Sequence, residues 1–370
     1  MRLARENWNI EGALRMWVLP FSVLCVLGSS LTPSSAGPSA TVIRHVASMG
    51  THLRLTVVAP QREIALEASE AAVLAVEATE DRLSTWRPGT ELDLLNQSAP
   101  GQWVRVSPQL SRDLEVARRW WRETGGSFDP GIASYVAAWG LREEGRVPND
   151  DEMESARRSS GFGLLEITEG WARRTAAGFA VEEGGFGKGV ALRDAAAAAL
   201  DAGAGCVELD FGGQLLIRGE CGERVIGVAD PRQRNRVVLQ LPLQSGSAAT
   251  SGNSERGVSI NGVVRGHIVD PRTGWPVPNW GSVTVIAEDP VVADCSATAL
   301  FVMGPELGLE WARQRGDLQA LFLRSTAEGL AITSTPGLGI ESAFRERPAT
   351  RAEDEVAPGS RSTDTIMKSR

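Results

Sequence analysis

The sequence predicts an α+β domain with mixed or antiparallel sheets. Segments with strand and helix patterns follow one another without the regular alternation that is typical of a doubly wound sheet. A strand pattern within 37–60 precedes a long helical pattern, Gln61 to Leu83, and later strand patterns come in hairpins. The chain has 370 residues, of which 42% are hydrophobic, so it can bury a sizeable core. We expect one domain over 37–341.

The later elements are predicted in chain order from their local patterns. A second helix begins at Ser107, a favourable cap residue that is followed by proline. The region 142–160 is polar, and we expect it to be peripheral. An alanine-rich helix follows the glycine-rich loop 184–189, and another helix opens after Pro290. A final hairpin closes the domain.

The two ends of the chain are predicted to lie outside this domain. Three arginines precede an apolar run over 16–28 that is shorter than a membrane span, which is typical of an export signal. We expect 1–36 to be a signal peptide or an uncleaved N-terminal anchor, and the protein to be exported. The region 342–370 is charged and contains Ser and Pro, so we expect a disordered tail.

The charge balance argues against nucleic acid as a partner. The chain has 38 Lys and Arg residues against 46 Asp and Glu residues, a formal net charge of -8. Nucleic-acid-binding domains usually carry a concentrated positive surface, and the carboxylate excess here is spread along the chain. We therefore expect no nucleic-acid partner.

The cysteines are too few for a disulfide framework. After the predicted signal only Cys206, Cys221 and Cys295 remain. The first two flank a predicted hairpin, so in an oxidising compartment they can pair. Two separate buried thiols are the alternative, and the sequence slightly favours that alternative.

The stretch "VEEGGFGKGVALRDA", Val181 to Ala195, predicts an anion-binding loop. Backbone N–H groups at a helix N-terminus are unpaired, and the helix dipole favours negative charge there. The loop is not the common nucleotide-binding P-loop. Gly189 stands where Ser or Thr would bind magnesium, and Glu182 stands where the first glycine should be.

Asp294 and Thr298 form a candidate cation site. They are four residues apart in a predicted helix, so they share one face. A carboxylate and a hydroxyl on one face can bind a hard, oxygen-preferring cation such as Mg²⁺. The alternative is structural, with Asp294 capping the helix and Thr298 packing, and on its own that alternative is favoured.

Three further segments carry candidate ligand contacts. His267 lies in the turn-rich stretch "GHIVDPRTG". Its predicted role is that of an acid, a base or a phosphate ligand, and the alternative is that the stretch is only an ordered turn. The other two segments are read either as ligand contacts or as ordinary turns; they are Thr250-Ser251-Gly252, after a strand, and Ser127-Phe128-Asp129, in "GGSFDPG".

The order of these motifs resembles the FAD:protein FMN transferases, the ApbE family. The matching segments follow one another in the family's order over about 280 residues of the chain. They are "MGT", "LSTWRPGTELDLLN", "GGSFDPG", "GGFGKG", "LDFGGQLLIRG", "ATSGNSERG", "HIVDPRTGWPV" and "SVTVIAEDPVVADCSATALFVMG". The last three are the most specific.

The resemblance implies that the fold is a single domain related to the T-fold. It also implies an enzymatic activity. Members of the family bind FAD and Mg²⁺ in the bacterial periplasm, move FMN onto a Thr or Ser hydroxyl of a target protein and release AMP. By family analogy the target is a membrane or periplasmic redox protein. The N-terminal segment would then either be removed or tether the protein to the inner membrane.

The resemblance also implies site residues, motif by motif. Asp294, Thr298 and the main-chain carbonyl of Gly185 match metal ligands. His267, Lys188 and Asp294 match residues at the reacting phosphate. The positions that match FAD contacts are Met49, Trp86, Ser127, Phe128, Asp129, Glu182, Lys188, Thr250, Ser251, Gly252, His267 and Ile268.

Two positions depart from the family pattern. Glu182 stands where Asp is usual, and Trp86 stands where Tyr is common. The first keeps the charge on a longer side chain, and the second keeps a stacking face but loses a hydroxyl. Two alternatives therefore stay open beside the transferase. One is an FAD pyrophosphatase that yields FMN and AMP, and the other is a non-catalytic periplasmic FAD-binding protein.

Overall fold

The structure is a computed structural model that describes residues 39–253, 257–260, 262–338 and 340. The predicted signal, 1–36, and the predicted tail, 342–370, lie outside the described residues. The α-helices within the described part of the chain are α1 (Arg62–Leu83), α2 (Glu91–Gln97), α3 (Pro108–Glu123), α4 (Ala133–Ala138), α5 (Asp150–Arg158), α6 (Gly187–Asp201) and α7 (Pro290–Arg313).

The strands form one large antiparallel sheet and several small ones. Their bounds are β1 (Ala40–Ser48), β2 (Thr51–Ala59), β3 (Val104–Arg105), β4 (Leu165–Thr168), β5 (Trp171–Arg174), β6 (Cys206–Phe211), β7 (Gln214–Gly219), β8 (Arg224–Asp230), β9 (Gln233–Leu243), β10 (Gly246–Gly252), β11 (Gly257–Ile260), β12 (Val263–Gly266), β13 (Val269–Asp270), β14 (Trp275–Pro276), β15 (Gly281–Ala287), β16 (Leu318–Thr326) and β17 (Gly329–Ser334). The large sheet has eight strands in the order β1-β2-β6-β7-β10-β15-β16-β17. Each neighbouring pair in it is antiparallel, which confirms the α+β class.

The first strand pattern is two strands and not one. β1 and β2 pair in register from Ala40 with Ala59 to Ser48 with Thr51. The chain reverses at Met49-Gly50, where both residues have positive φ, 47° and 67°. Glycine adopts this conformation readily, but methionine rarely does. Only one of the two turn residues, the glycine, therefore indicates a turn in the sequence.

Helices α1, α6 and α7 cover one face of the large sheet. Small residues let α1 and α6 approach closely over β2 and β6, with Ala68, Ala72 and Ala195 fully buried between them. Helix α7 packs on β10, β15 and β16 through residues such as Leu300 and Phe301. The predicted helices after the glycine loop and after Pro290 are thus the central helices of the core.

Helix α7 is kinked near its middle. Gly304 has non-helical φ and ψ, 80° and 170°, and Pro305 follows it, so the ladder of backbone hydrogen bonds is interrupted there. Among the described residues α7 alone is long and apolar enough to cross a membrane, but 67% of its apolar window is buried inside the protein. We therefore assign it to the core.

The opposite face of the sheet is covered by the β8–β9 hairpin. Its apolar residues pack on β7, β10 and β16. At the edge of this cluster Cys206 and Cys221 form a disulfide, so the prediction of two separate thiols is wrong. Both cysteines are buried, and the turn between β6 and β7 brings them together, a register that the sequence pattern did not specify.

A buried charge network fixes α6 against its neighbours. Arg82 of α1 donates from Nε to Asp113 Oδ2 of α3 at 2.8 Å and from Nη2 to Asp194 Oδ2 of α6 at 2.8 Å. Arg193 of α6 donates to the other oxygen of Asp113 at 3.0 Å. The network links three helices and sets the position of the N-terminus of α6, which carries the glycine loop.

Candidate functional site

The glycine loop meets the start of α7 at close range. The predicted alanine-rich helix is α6, but it begins at Gly187, inside the glycine-rich loop and not after it, so that Gly189 lies in its first turn. A Cβ at Gly189 would lie 2.6 Å from the carbonyl oxygen of Pro290 and 2.8 Å from Val291 Cα. Only glycine allows the two helix starts to approach this closely, so the loop and α7 form one site.

Asp294 projects from α7 into the loop and is held there by two donors. Its side chain is 7% exposed. Lys188 Nζ lies 3.3 Å from Oδ1, and the backbone N–H of Gly189 donates to Oδ2 at 2.9 Å. The N-cap of α7 is Asp289, which accepts from Val291 N, so Asp294 is not the cap of this helix. The predicted capping role of Asp294 is therefore wrong.

Thr298 and Gly185 lie side by side, one helical turn beyond Asp294. A Cβ at Gly185 would lie 3.3 Å from Thr298 Oγ1 and 3.0 Å from the ring of Phe128. Gly185 thus brings its main chain against the Thr298 hydroxyl, which is half-buried. The predicted metal ligands Asp294 and Thr298 thus lie one turn apart on α7, with Gly185 against Thr298, and metal binding by these residues stays a prediction.

These oxygens fit a hard cation. A carboxylate, a hydroxyl and a main-chain carbonyl are the donors that Mg²⁺ prefers, and Mg²⁺ keeps waters in its other positions. The Lys188 ammonium already contacts the Asp294 carboxylate, so that carboxylate is held in a position beside a positive charge. A side chain at position 185 would crowd the space beside Thr298, and glycine keeps that space clear.

The segment Ser127-Phe128-Asp129 lies beneath the loop and is buried. The ring of Phe128 packs against Gly185. Asp129 accepts from the backbone N–H of Gly131 at 2.7 Å and of Phe162 at 3.1 Å. Burial raises the pKa of Asp129 to about 6, against the lowering effect of these two donors. The side chain shapes the turn, and its predicted FAD contact stays a prediction.

Met49 reaches the start of α6 from the turn between β1 and β2. Its Cε lies 3.0 Å from the point that a Cβ at Gly187 would occupy. The backbone N–H of Met49 donates to Glu80 Oε1 at 3.1 Å, and the Ser48 hydroxyl donates to Oε2 at 2.7 Å. These contacts hold the strained turn and place the thioether beside the glycine loop.

Trp86 and Glu182 are joined by Arg142. The guanidinium lies over the Trp86 ring, 4.1 Å from its centroid, and forms an ion pair with Glu182. Burial raises the pKa of Glu182 to about 7, opposed by Arg142 and assisted by the charge of Glu183. The indole is 61% exposed, so a stacking face is open to solvent beside the site.

The strand end Thr250-Ser251-Gly252 presents its two hydroxyls to opposite faces of the sheet. Ser251 pairs in register with Val283, on the face that α7 covers. Thr250 lies on the other face, because strand side chains alternate, and its hydroxyl is 2.8 Å from that of Thr284. The structure brings Ser251 to the face of α7 and turns the Thr250 side chain away from it.

His267 and Ile268 lie between β12 and β13, and both are half-buried. Asn253, just after β10, packs against Gly266 and donates to Val277 O at 2.7 Å. The stretch that carries His267 is therefore adjacent to the end of β10. The role of His267 in proton transfer stays a prediction.

Three residues at the site, Arg142, Thr85 and Glu183, are not indicated by the sequence pattern. The region from 142 onward was predicted to be peripheral, and for Arg142 that prediction is wrong. Thr85 donates to Glu183 Oε2 at 2.5 Å, and Glu183 is 6% exposed. No periodic pattern marks these residues, because each lies in a loop that only the fold brings to the site.

The arrangement is typical of a protein that binds a phosphorylated ligand together with a hard cation. A helix N-terminus with a lysine is suited to binding an anion, neighbouring oxygens are suited to a hard cation, and an exposed indole is suited to stacking with a planar ring. The family model that matches the sequence covers residues 49–322 and is that of the ApbE family. The chain belongs to the ApbE family.

Individual relatives agree with this membership. The FAD:protein FMN transferase of Rhodobacter capsulatus is 33% identical over 262 residues, 68% of this chain and 49% of the relative, so the chain spans about half of that protein's length. That of Klebsiella pneumoniae is 28% identical over 329 residues, 84% of this chain and 93% of the relative.

Solved structures agree as well. The flavin transferase ApbE from Vibrio cholerae superposes with a TM-score of 0.71 at 26% identity, over 81% of this chain and 98% of that chain. The ApbE protein of Thermotoga maritima gives 0.73 at 28%, over 83% and 100%.

Proposed function

We propose that this protein is a Mg²⁺-dependent FAD:protein FMN transferase that attaches FMN to a Thr or Ser hydroxyl and releases AMP. Flavin transfer is the activity of the ApbE relatives that the chain resembles over most of its domain. The observation that carries the finer proposal is the convergence of Gly185, Lys188, Asp294 and Thr298 at the crossing of α6 and α7.

Each residue at this crossing has a role in the proposal. Asp294, Thr298 and the carbonyl of Gly185 would hold the Mg²⁺. The bound ion supplies charge neutralisation at the phosphate oxygens. Lys188 and the N-terminus of α6 bind the diphosphate and balance its charge. The Lys188 ammonium lies beside the Asp294 carboxylate, so its positive charge is already held next to the proposed cation site.

The transfer is an in-line displacement at the phosphorus of the FMN half. The acceptor oxygen bonds to that phosphorus, the bond to the bridging oxygen breaks, and AMP leaves with the bridging oxygen. His267, or a nearby carboxylate, takes the proton of the hydroxyl. Trp86 and Glu182 bind the isoalloxazine ring, with Met49 and Phe128 nearby.

We also propose that the protein acts in the periplasm, on a membrane or periplasmic redox protein. The apolar run over 16–28 supports export, by cleavage or by a tether to the inner membrane. The Cys206–Cys221 disulfide supports an oxidising compartment.

The test is product analysis with the chain from Gly37 onward. The protein is incubated with FAD and Mg²⁺, with and without a peptide that carries an acceptor Thr, and AMP is followed by chromatography. We expect AMP only when the peptide is present, and no AMP when EDTA replaces Mg²⁺. AMP without peptide would favour the FAD pyrophosphatase instead. FAD binding without AMP in any sample would favour a non-catalytic FAD-binding protein.

A further inference from the structure

Three loops meet at the side chain of Arg142. Its Nη1 donates to the carbonyl oxygen of Thr85 at 3.1 Å, and its Nη2 donates to Thr85 Oγ1 at 2.6 Å. Nη2 also donates to Glu182 Oε2. Arg142 follows α4, Thr85 follows α1, and Glu182 precedes the glycine loop, so one guanidinium ties together segments that are distant in sequence.

The same guanidinium covers one face of Trp86. It lies 4.1 Å from the ring centroid, a distance at which a cation is attracted to an indole. The indole nevertheless stays 61% exposed. A ring has two faces and Arg142 covers one, so the exposed area belongs to the opposite face and the edges. A large exposed aromatic ring held in one orientation is suited to stacking.

Arg142 also faces the paired carboxylates of the loop. It bonds Glu182 directly, and it donates to the Thr85 hydroxyl, which in turn donates to Glu183. The charged groups that face Glu182 are thus the Arg142 guanidinium, from the loop after α4, and the Glu183 carboxylate, from the same segment as Glu182. Removal of the Arg142 guanidinium would take this positive charge away from the adjacent carboxylates Glu182 and Glu183 and from the face of the Trp86 indole.

We propose that Arg142 is a flavin-positioning residue, which holds the Trp86 indole and the Glu182 carboxylate in place for the isoalloxazine ring. The ring stacks on the indole face opposite the guanidinium. The inference rests on the proposed function, because it assigns the flavin half of FAD to this end of the site. The rival arrangement has the guanidinium on the face that the flavin needs, so that Arg142 blocks binding.

The experiment measures the dissociation constants of FMN and FAD by isothermal titration calorimetry, for the wild-type chain and for Arg142→Ala. The matched control is Arg146→Ala. Arg146 lies in the same loop, is about half exposed and pairs with Glu152 at 2.7 Å. Melting temperatures of all three proteins check the fold.

We expect Arg142→Ala to weaken FMN and FAD by the same factor, about tenfold, the loss of one stacking and charge-assisted contact. The factor is the same because, in the proposed arrangement, the AMP half lies beyond the diphosphate and does not reach this residue. Arg146→Ala should leave both dissociation constants unchanged.

Three outcomes would overturn the inference: unchanged affinities in Arg142→Ala, tighter binding, or a much larger loss for FAD than for FMN. Tighter binding would establish the blocking arrangement, and the unequal loss would mean a disturbed diphosphate site. Failure of the wild-type chain to bind FMN would be a different result, which rejects the flavin site and the proposed function together.

Discussion

Asp129 illustrates how a single buried carboxylate shapes the site and weakens the fold at neutral pH. It is 8% exposed and accepts from two backbone N–H groups, at Gly131 and Phe162. Burial outweighs these donors and raises the pKa of the carboxyl from 3.8 to about 6. A carboxyl with a raised pKa in the folded state favours folding while it is protonated and opposes folding once it is ionised.

The pH dependence of stability follows with a definite sign. The free energy of unfolding of the wild-type chain should fall by about 3 kcal/mol as the pH rises from about 3 to about 7, through this group alone. In Asp129→Asn this fall should be absent, because the amide does not ionise. Urea unfolding at several pH values measures the difference between the two proteins.

A matched control isolates the effect of Asp129. Asp151→Asn changes an exposed carboxylate at the start of α5, and its curve should keep the wild-type shape. An Asp129→Asn curve with the same fall as the wild type would contradict the account of this residue.

Several site residues could be predicted because their chemistry is local in sequence. Asp294 and Thr298 lie four apart on one helix, so their proximity needed only helix geometry, and Lys188 stands out because it lies within a run of glycines. Arg142 could not be predicted, because its partners Thr85 and Glu182 are 57 and 40 residues away in sequence. Such contacts depend on how the loops fold over the sheet.

At the scale of elements, the site depends on the close crossing of α6 and α7. Gly189 is the contact point, since a Cβ there would meet backbone atoms of Pro290 and Val291 below 3 Å. Its N–H also holds Asp294. The two helix starts must therefore move apart if this residue gains a side chain, and the carboxylate would move with them.

Gly189→Ala should lower the free energy of unfolding by about 1–3 kcal/mol, the usual cost of overpacking. At an open helix position the same change would stabilise the protein, because alanine favours helix more than glycine does. FMN transfer should slow as well. Chemical denaturation and the transfer assay measure the two effects.

The control for this change is Gly184→Ala. A Cβ at Gly184 meets no atom within 4 Å, and Gly184 is exposed in the same loop. Its stability should stay near that of the wild type. Equal stability of the two variants would contradict the close crossing.

Element type could be predicted more fully than pairing. The long helix α1 and the helix after the glycine loop have clear patterns, and the irregular order of strands indicated α+β. The split of the first strand at Met49 was missed, because a methionine at positive φ is an uncommon turn residue. Register across the sheet depends on distant partners and is not written in any one segment.

At the scale of the whole molecule, the disulfide links β6 to the segment after β7, across 15 residues. A cross-link that closes a loop of this length restricts the unfolded chain and contributes about 3 kcal/mol to stability. The double variant Cys206→Ser with Cys221→Ser should lose about that free energy of unfolding. A reducing agent should destabilise the wild type to a similar degree.

The reducing agent should have no effect on the double variant, which lacks the cross-link. A loss of stability in that variant on reduction would mean that another group responds. Cys295 is buried and free, and burial raises the pKa of its thiol, so we expect it to be unreactive.

The central claim is that the oxygens at the crossing of α6 and α7, above all those of Asp294, enable FMN transfer. The most direct test is the intact mass of an acceptor peptide after incubation with FAD and Mg²⁺, with the wild-type chain, with Asp294→Asn and with Asp289→Asn. The last variant changes the cap residue of the same helix, which accepts from Val291 N and is not among the proposed metal or FAD contacts.

We predict that the peptide gains the mass of FMN less one water with the wild type and with Asp289→Asn. With Asp294→Asn the rate should fall at least a hundredfold, about 3 kcal/mol in the barrier. Melting curves check that Asp294→Asn is folded. Transfer by folded Asp294→Asn at the rate of the wild-type chain would contradict the account.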